Sequence, residues 1–168
     1  MRTHLARRAV PARSSKSSVP ADRPPELHDA RVSEARLISP LDTVKLALLR
    51  APGPDHDVSV FLEIWQPAGA QPPNSHPRSV ETFLFLAGSG TAYCDDDVLD
   101  VVAGQLLVLP PRSVHRIENT GDSMLAAITT MAPDDGFAAL VLAGRTVPLA
   151  DEELALLGWA RRREPPDR

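Results

Sequence analysis

The chain has 168 residues, of which 43% are hydrophobic, and a formal net charge of −4 at pH 7. This length allows one domain and a tail. Only 4% of the residues are aromatic, so the core must consist mostly of Leu, Val and Ala. The single cysteine, Cys94, excludes an internal disulfide and suits a reducing compartment, and we therefore expect a cytoplasmic protein.

Residues 1–24 form a basic segment, which we expect to be a disordered, solvated arm. Residues 1–21 carry five cationic side chains and no acid, which leaves −9 for the remainder. The arm lacks interleaved aromatics and a recognisable binding module, so we expect no nucleic-acid partner. It has no apolar run long enough for a secretory signal or a membrane span, and no membrane contact is expected. Its Arg- and Ser-rich composition also fits an organelle transit peptide or an over-long predicted start, and the sequence leaves both open.

From about residue 25 onwards the sequence predicts short strands separated by Gly- and Pro-rich turns. Apolar and polar residues alternate over 57–65, which is typical of a strand. An acidic turn at 95–97 is expected to be a solvated tip. Several short strands at regular spacing indicate an all-β sandwich or barrel. The other predicted strands lie at 35–38, 43–49, 81–87, 91–95, 98–102, 105–109, 115–119 and 124–131.

The period of the pattern changes at about residue 133. Acids precede and Gly144 follows the apolar run 137–143, which predicts a short helix. A second helix is predicted at 151–160, since acids open it and arginines follow its end, as the helix dipole favours. We expect the helical segment 133–163 to pack on the outside of the barrel or on a second subunit, with 164–168 as a loose tail.

Two segments about thirty residues apart contain the candidate functional residues. In the first, Asn74 and His76 are two apart, so an extended segment would place both side chains on one face, and Glu81 opens the next strand. In the second, a turn at 110–113 leads to His115. Two hairpins brought face to face would collect two imidazoles and one carboxylate. This ligand set with open positions favours non-haem Fe(II), and Mn, Co, Ni and Zn are also accepted.

The two segments resemble the two motifs of the cupin family. The first motif has a glycine, His-x-His, a glutamate and a second glycine, and the matching residues here are Gly69, Asn74, His76, Glu81 and Gly88. The second motif is matched by Gly104, Pro110, His115 and Asn119. The resemblance covers residues 57–131. It implies a double-stranded β-helix, or jelly-roll barrel, over 25–132, followed by one or two short C-terminal helices.

The sequence departs from the family pattern at two positions. Asn74 stands where the first histidine is usual, and its neutral amide oxygen would be a weak fourth ligand. Arg112 stands where a glycine is usual, so it would have to adopt a backbone conformation that glycine enters more cheaply. Asn119 is expected to fix a turn through backbone hydrogen bonds rather than to touch a ligand. The motif glycines are interpreted as turn residues. Phe83 and Phe85 share a face with Glu81, and we interpret them as core residues or as cavity lining.

The resemblance implies one divalent metal ion, with Fe expected first, and a small-molecule substrate or ligand in the barrel of a homodimer. A metal-dependent oxygenase, isomerase or decarboxylase would each fit, with a slight preference for oxidative chemistry at Fe(II). The alternatives are a module that binds or senses a small ligand without turnover, and a metal-free barrel that serves as a dimer partner. The sequence assigns no catalytic residue.

Overall fold

The computed structural model describes residues 25–39 and 41–159. The expectations for the arm (1–24) and for the tail (164–168) therefore lie outside the described residues and stay predictions. Within the described part, the chain forms a short 3-10 turn at Ala30–Val32, ten strands and two α-helices. The strands are β1 (Ala35–Leu37), β2 (Val44–Arg50), β3 (Ser59–Trp65), β4 (Val80–Ala87), β5 (Ser89–Cys94), β6 (Asp97–Val102), β7 (Leu106–Leu109), β8 (His115–Glu118), β9 (Leu125–Ala132) and β10 (Arg145–Val147). The helices are α1 (Phe137–Ala143) and α2 (Asp151–Leu156).

The strands form two antiparallel sheets. The larger has the order β10-β1-β2-β3-β9-β4-β7, and the smaller has the order β6-β5-β8. The segment before β4 continues the smaller sheet beyond β8 through isolated bridges that pair Ala70 with Glu118 and Asn74 with His115. The predicted all-β class and jelly-roll architecture are confirmed, as are the two short C-terminal helices.

Two apolar clusters cover the two faces of the larger sheet. The interior cluster includes Phe61, Trp65 and Phe83, and the outer cluster includes Leu62 and Ile64. Strand β3 contributes to both clusters because successive side chains of a strand point to opposite faces. Six of its seven residues are buried. The interior face of β3 therefore carries the aromatic residues, and its outer face carries aliphatic residues.

The two helices pack in different places. The ring of Phe137 in α1 meets the ring of Phe61 edge-on, with 5.2 Å between centroids, and Val141 belongs to the interior cluster. Thus α1 closes the barrel interior, whereas the sequence analysis expected it on the outside of the barrel or on a second subunit. Helix α2 packs on the outer cluster through Leu154, and its buried Glu153 forms an ion pair of 2.7 Å with Lys45.

Two differences from the sequence expectation concern the C-terminal part. Helix α2 ends at Leu156, four residues earlier than predicted. Strand β10 was not predicted, and it pairs antiparallel with β1 at the edge of the larger sheet. Three residues are too few for a periodic pattern, so this strand is defined by its partner rather than by its own sequence.

The motif turns require unusual backbone geometry at three positions. Gly88 and Gly104 have φ of 78° and 90°, as expected of turn glycines. Arg112 has φ of 72°, which confirms that it adopts the left-handed conformation. For a residue with a β-carbon, this conformation costs about 1–2 kcal/mol. Gly69 does not have a positive φ, but a β-carbon there would lie 2.7 Å from the Gln66 carbonyl oxygen.

We predict that Arg112→Gly raises the free energy of unfolding by up to about 1 kcal/mol. The substitution removes the left-handed penalty, and the greater backbone entropy of glycine in the unfolded chain offsets part of the gain. Arg112→Ala is the matched control, because alanine keeps the β-carbon and should gain nothing. Urea unfolding of the three proteins measures the effect. Equal stabilisation by both substitutions would assign the gain to loss of the guanidinium and contradict the backbone explanation.

Candidate metal centre and barrel cavity

Within the described residues, one group of His, Cys, Asp and Glu side chains lies close enough together to hold a metal ion. It consists of His76, Glu81 and His115, and one ligand atom from each lies within 4.8 Å of the others. Glu81 Oε2 is 3.4 Å from His76 Nε2 and 2.9 Å from His115 Nε2. Their side chains are only 13%, 4% and 2% exposed, respectively. The structure thus brings together the three residues that the sequence singled out.

Backbone hydrogen bonds hold the two histidines next to each other. The amide groups of Asn74 and His115 donate to each other's carbonyl oxygens at 3.0 and 2.9 Å. The amide of Arg112 donates to the His76 carbonyl oxygen at 2.8 Å. Glu81 lies on β4 of the larger sheet, where it pairs with Leu109 of β7 and Met131 of β9. The candidate centre therefore lies where the extended segment around His76 meets both sheets.

An aspartate from a distant part of the chain fixes the turn next to each histidine, which follows His76 and precedes His115. Asp135 accepts hydrogen bonds from the backbone amides of Arg78 and Ser79 at 2.7 and 3.0 Å, in the turn between His76 and Glu81. It also accepts a bond of 2.7 Å from the Arg78 side chain. The turn that carries His76 is therefore attached to the segment that opens α1.

Asp95 plays the corresponding part for His115. Its carboxylate accepts hydrogen bonds from the Ser113 hydroxyl at 2.8 Å and the Val114 amide at 2.9 Å. The sequence indicated a solvated acidic tip at this position. The acidic run gave no sign that one of its members reaches back to a turn 18 residues away, so the positioning role of Asp95 was missed.

The tautomer of His115 directs one lone pair toward Glu81. Its Nδ1–H donates to the Ser113 carbonyl oxygen at 3.1 Å, which leaves Nε2 of the neutral ring as an acceptor. That acceptor faces the carboxylate oxygen Glu81 Oε2, and neither atom has a hydrogen-bond donor as partner. Two buried acceptors 2.9 Å apart repel each other unless a cation or a proton lies between them.

The protonation tendencies of the two imidazoles differ. Burial lowers the pKa of His76, although the charge of Glu81 acts in the opposite direction. Burial also acts to lower the pKa of His115. The hydrogen bond that the protonated ring would donate to Glu81, together with the charge of Glu81, outweighs burial, so this pKa lies above its usual value. Without a metal ion, a proton on His115 is therefore the charge that relieves the contact with Glu81.

Asn74 lies at the same site. Its side-chain NH₂ donates to the Pro72 carbonyl oxygen at 3.2 Å, and its amide oxygen is buried without a hydrogen-bond partner. Asn74 and Glu81 both line a cavity of about 190 Å³ inside the barrel. The amide oxygen is thus free to act as a weak ligand, and the other motif asparagine has a different task. Asn119 donates to the carbonyl oxygens of Trp65 and Ser123 at 3.0 and 2.8 Å, which confirms its expected structural role.

The aromatic residues beside Glu81 belong to the core, as expected. Phe83 and Phe85 are buried and stack with 6.3 Å between ring centroids. Phe83 also meets the edge of the His115 ring, and Phe137 meets the edge of the His76 ring, with centroid distances of 6.1 and 5.4 Å. The two imidazoles are therefore held between apolar rings. Farther away, burial raises the pKa of the Cys94 thiol, in agreement with an inert buried cysteine.

Glu63 is a site residue that the sequence analysis missed. It lies on the interior face of β3, is 3% exposed and lines the same cavity as Glu81. Burial and then the charge of Glu81 raise the pKa of Glu63 to about 8, against a smaller opposite effect of the Thr129 hydroxyl. The alternating pattern of β3 predicted a strand, but it did not show which of the two faces, the one with Glu63 or the opposite one, points to the interior.

Comparison with known proteins agrees with this geometry. Residues 61–131 match the family model of the cupin domain. The chain carries a cupin domain. A curated relative, germin-like protein subfamily 2 member 1 of Arabidopsis thaliana, is 29% identical in a match that covers 58% of this chain and 48% of that protein. The chain thus spans about half the length of the curated relative that it matches.

Solved structures show the same fold at low identity. A predicted oxalate decarboxylase from Thermotoga maritima has a TM-score of 0.59 and 17% identity, over 64% of this chain and 99% of that chain. An oxalate oxidase has a TM-score of 0.54 and 20% identity, over 64% of this chain and 59% of that chain. These identities support a common cupin fold and no more. Among the helices that the structure describes, none has the length and apolarity to span a membrane.

We predict that Glu63 makes the metal-free protein less stable as the pH rises. The folded pKa of about 8 lies above the usual value of 4.5, so the folded state binds the proton more tightly than the unfolded state between these values. Stability must therefore fall across this window, by a few kcal/mol at most. Glu63→Gln cannot ionise, so the difference in unfolding free energy between the wild type and this variant should shift against the wild type from about pH 5 to about pH 9.

Urea unfolding in a chelator at several pH values measures this difference, and titrating groups that do not interact with Glu63 cancel because both proteins contain them. Parallel stability curves for the two proteins would show that Glu63 ionises normally and would contradict its placement in a water-poor interior.

Proposed function

We propose that this cupin binds one divalent metal ion through His76, Glu81 and His115, and that the bound ion acts on a small molecule in the barrel cavity. The observation that carries the proposal is the convergence of two imidazole nitrogens and a carboxylate within 4.8 Å of one another. The buried, unpartnered atoms Glu81 Oε2 and His115 Nε2 fit a cation, because both are acceptors without a donor.

The donor set determines the chemistry that fits. An ion held by two histidines and one carboxylate keeps positions open for water, substrate or O₂, and supplies Lewis-acid or oxidative chemistry there. We favour Fe(II) and an oxidative reaction, since this set is the one that non-haem iron oxygenases use. Mn, Ni, Co and Zn fit the same donors, and the experiment below compares them.

The protein's own residues prepare the site for this reaction. The Ser113 carbonyl oxygen orients His115, which is the arrangement that fixes the tautomer of metal-binding histidines. Phe83 packs against the ring of His115 and Phe137 against the ring of His76, which restricts the orientation of both imidazoles. Helix α1 adds Phe137 and Leu140 to the cavity lining, so it separates the site from solvent on that side.

The structural neighbours that are named as oxalate-converting enzymes do not indicate the substrate that we propose. In the described part of the chain, the residues that line the cavity include three acids and no Lys or Arg. A small dicarboxylate would find no side-chain cation there apart from the metal ion. We therefore propose a small molecule other than a dianion.

We predict that the purified, untagged protein holds about one metal ion per chain, and that Glu81→Ala and His115→Ala each abolish binding. Both variants should keep their fold, because the barrel is stabilised mainly by its apolar core. Metal analysis by mass spectrometry, with Fe, Mn, Co, Ni and Zn each offered to the metal-free protein, gives the content and the preference. His56→Ala is the control, since His56 lies at the Gly53 turn and contacts Arg50.

Full metal content in both variants would show that the assigned site is wrong. An oxygen-uptake screen of the iron-loaded protein then separates an oxidative enzyme from the alternative, a module that binds or senses a small ligand without turnover. Metal binding without uptake or conversion of any offered compound would favour the alternative.

We predict that Asn74→Ala weakens metal binding far less than His76→Ala. A neutral amide oxygen contributes less than an imidazole to a transition-metal site. Asn74→His should tighten binding, because it supplies a fourth strong ligand, and it should reduce any activity that needs the extra open position. Titration of one divalent metal into the three variants measures the order. If Asn74→Ala costs as much affinity as His76→Ala, the amide is a full ligand and the three-ligand account fails.

The homodimer and the cytoplasmic location stay predictions. Exposed apolar side chains on the outer face of β4 and β7 support a contact with a second copy: Val80, Leu84, Leu106 and Val108. These side chains are adjacent because Leu84 pairs with Leu106 and Thr82 with Val108 across the two strands. Light scattering of the purified protein measures the oligomeric state.

A further inference from the structure

We propose that the ligand of the barrel cavity is a small molecule with an apolar body and a positively charged nitrogen group, and that the Glu63 carboxylate binds this group. The proposal names the ligand class for the proposed metal-dependent function, and it rests on that function insofar as the same cavity reaches Glu81 and Asn74. Binding of a cation at Glu63 does not itself require the metal ion.

The lining of the cavity divides into an apolar wall and a set of acids. The acids are Asp42, Glu63 and Glu81, and the apolar residues are Ile38, Val44, Leu46, Phe137 and Leu140. The part of the chain that the structure describes contributes no Lys or Arg to this lining. The cavity therefore accepts apolar carbon on one side and has an excess of negative charge on the other.

Buried polar atoms in the cavity are available to bind a ligand. Glu81 Oε2 and the Asn74 amide oxygen are both buried without a hydrogen-bond partner. Glu63 is 3% exposed, and no Lys or Arg among residues 25–39 and 41–159 forms an ion pair with it. A carboxylate in a water-poor interior is strongly disfavoured unless a positive charge compensates it. Its raised pKa agrees with this lack of compensation.

A metal ion at Glu81 would reduce the negative charge of the cavity without removing it. A divalent ion brings two positive charges against three lining acids, so one negative charge is left when Glu63 is ionised, and a bound ammonium group favours that ionised form. Asp42 lies half-buried and accepts a hydrogen bond of 2.6 Å from the Ser39 amide, so Glu63 is the deeper of the two remaining acids. One ammonium group on the ligand balances this charge, and an anionic group would increase the imbalance.

The cavity volume restricts the size of the ligand. It is about 190 Å³, and an engineered protein cavity of about 150 Å³ holds benzene. Three probes with the same ring and different charge therefore suit the cavity: benzylammonium, benzyl alcohol and benzoate. Titration of each into isotope-labelled protein, followed by amide NMR shifts of cavity residues such as Leu140, gives the three dissociation constants. The titrations are carried out with metal-free and with zinc-loaded protein, since zinc is redox-inert.

We expect benzylammonium to bind most tightly and benzoate most weakly to the metal-free protein. With zinc loaded, benzylammonium should bind more tightly than benzyl alcohol. Glu63→Gln should weaken benzylammonium about tenfold in both forms and change benzyl alcohol by less than about twofold, because only the cation loses a charge-assisted hydrogen bond. Glu152→Gln is the matched control, since Glu152 is exposed on α2 and does not line the cavity. It should leave all three constants unchanged.

Three results would each overturn the proposal. They are no shift of cavity amides with benzylammonium, benzoate binding to the metal-free protein as tightly as benzylammonium, and an equal loss for benzylammonium and benzyl alcohol in Glu63→Gln. The metal content is measured separately on the same samples. Loss of the cation preference with one metal ion per chain refutes this inference alone, and a cation preference without metal binding refutes only the proposed metal centre.

Discussion

Two carboxylates inside an apolar barrel are the constraint on which the site depends. Glu81 and Glu63 are both 3% exposed, and the described cavity lining offers neither of them a Lys or Arg. A buried carboxylate requires a positive charge, a proton or several donors. Burial removes both side chains from bulk water. The described cavity lining therefore lacks the side-chain cation that two ionised carboxylates would require, which supports our proposal that a cation from outside the chain binds there.

The geometry around Glu81 is maintained by contacts that extend well beyond the candidate ligands. Asp135 joins the turn after His76 to the beginning of α1, and Asp95 fixes the turn before His115. Helix α1 also contributes Phe137 and Leu140 to the cavity lining. Asp135 therefore connects this part of the lining to the turn that follows His76. A displacement of α1 would move the His76 turn as well. Such support from surrounding hydrogen bonds is what holds a ligand set in position.

The sequence was sufficient to predict the barrel, the positions of most strands and the convergence of His76, Glu81 and His115. Strand alternation and motif spacing encode these features locally. It was not sufficient to find Glu63, because β3 is buried on both faces and its pattern does not distinguish interior from exterior. Asp95 was missed because its partner turn is distant in sequence, and β10 because its three residues are specified by pairing with β1. Each miss concerns a contact between segments far apart in the chain.

Residues of the two motifs and residues outside them contribute differently to the site of this cupin domain. The motif residues bring metal donors together through backbone geometry, and Arg112 shows that the geometry persists even where a left-handed residue is not glycine. The charge of the cavity, by contrast, also depends on residues outside the motifs, namely Asp42 and Glu63. If Glu63 binds the cationic group as we propose, a substitution there would alter the ligand that fits and leave His76, Glu81 and His115 in place. Shared motifs are therefore compatible with different substrates, because residues outside the motifs also line the cavity.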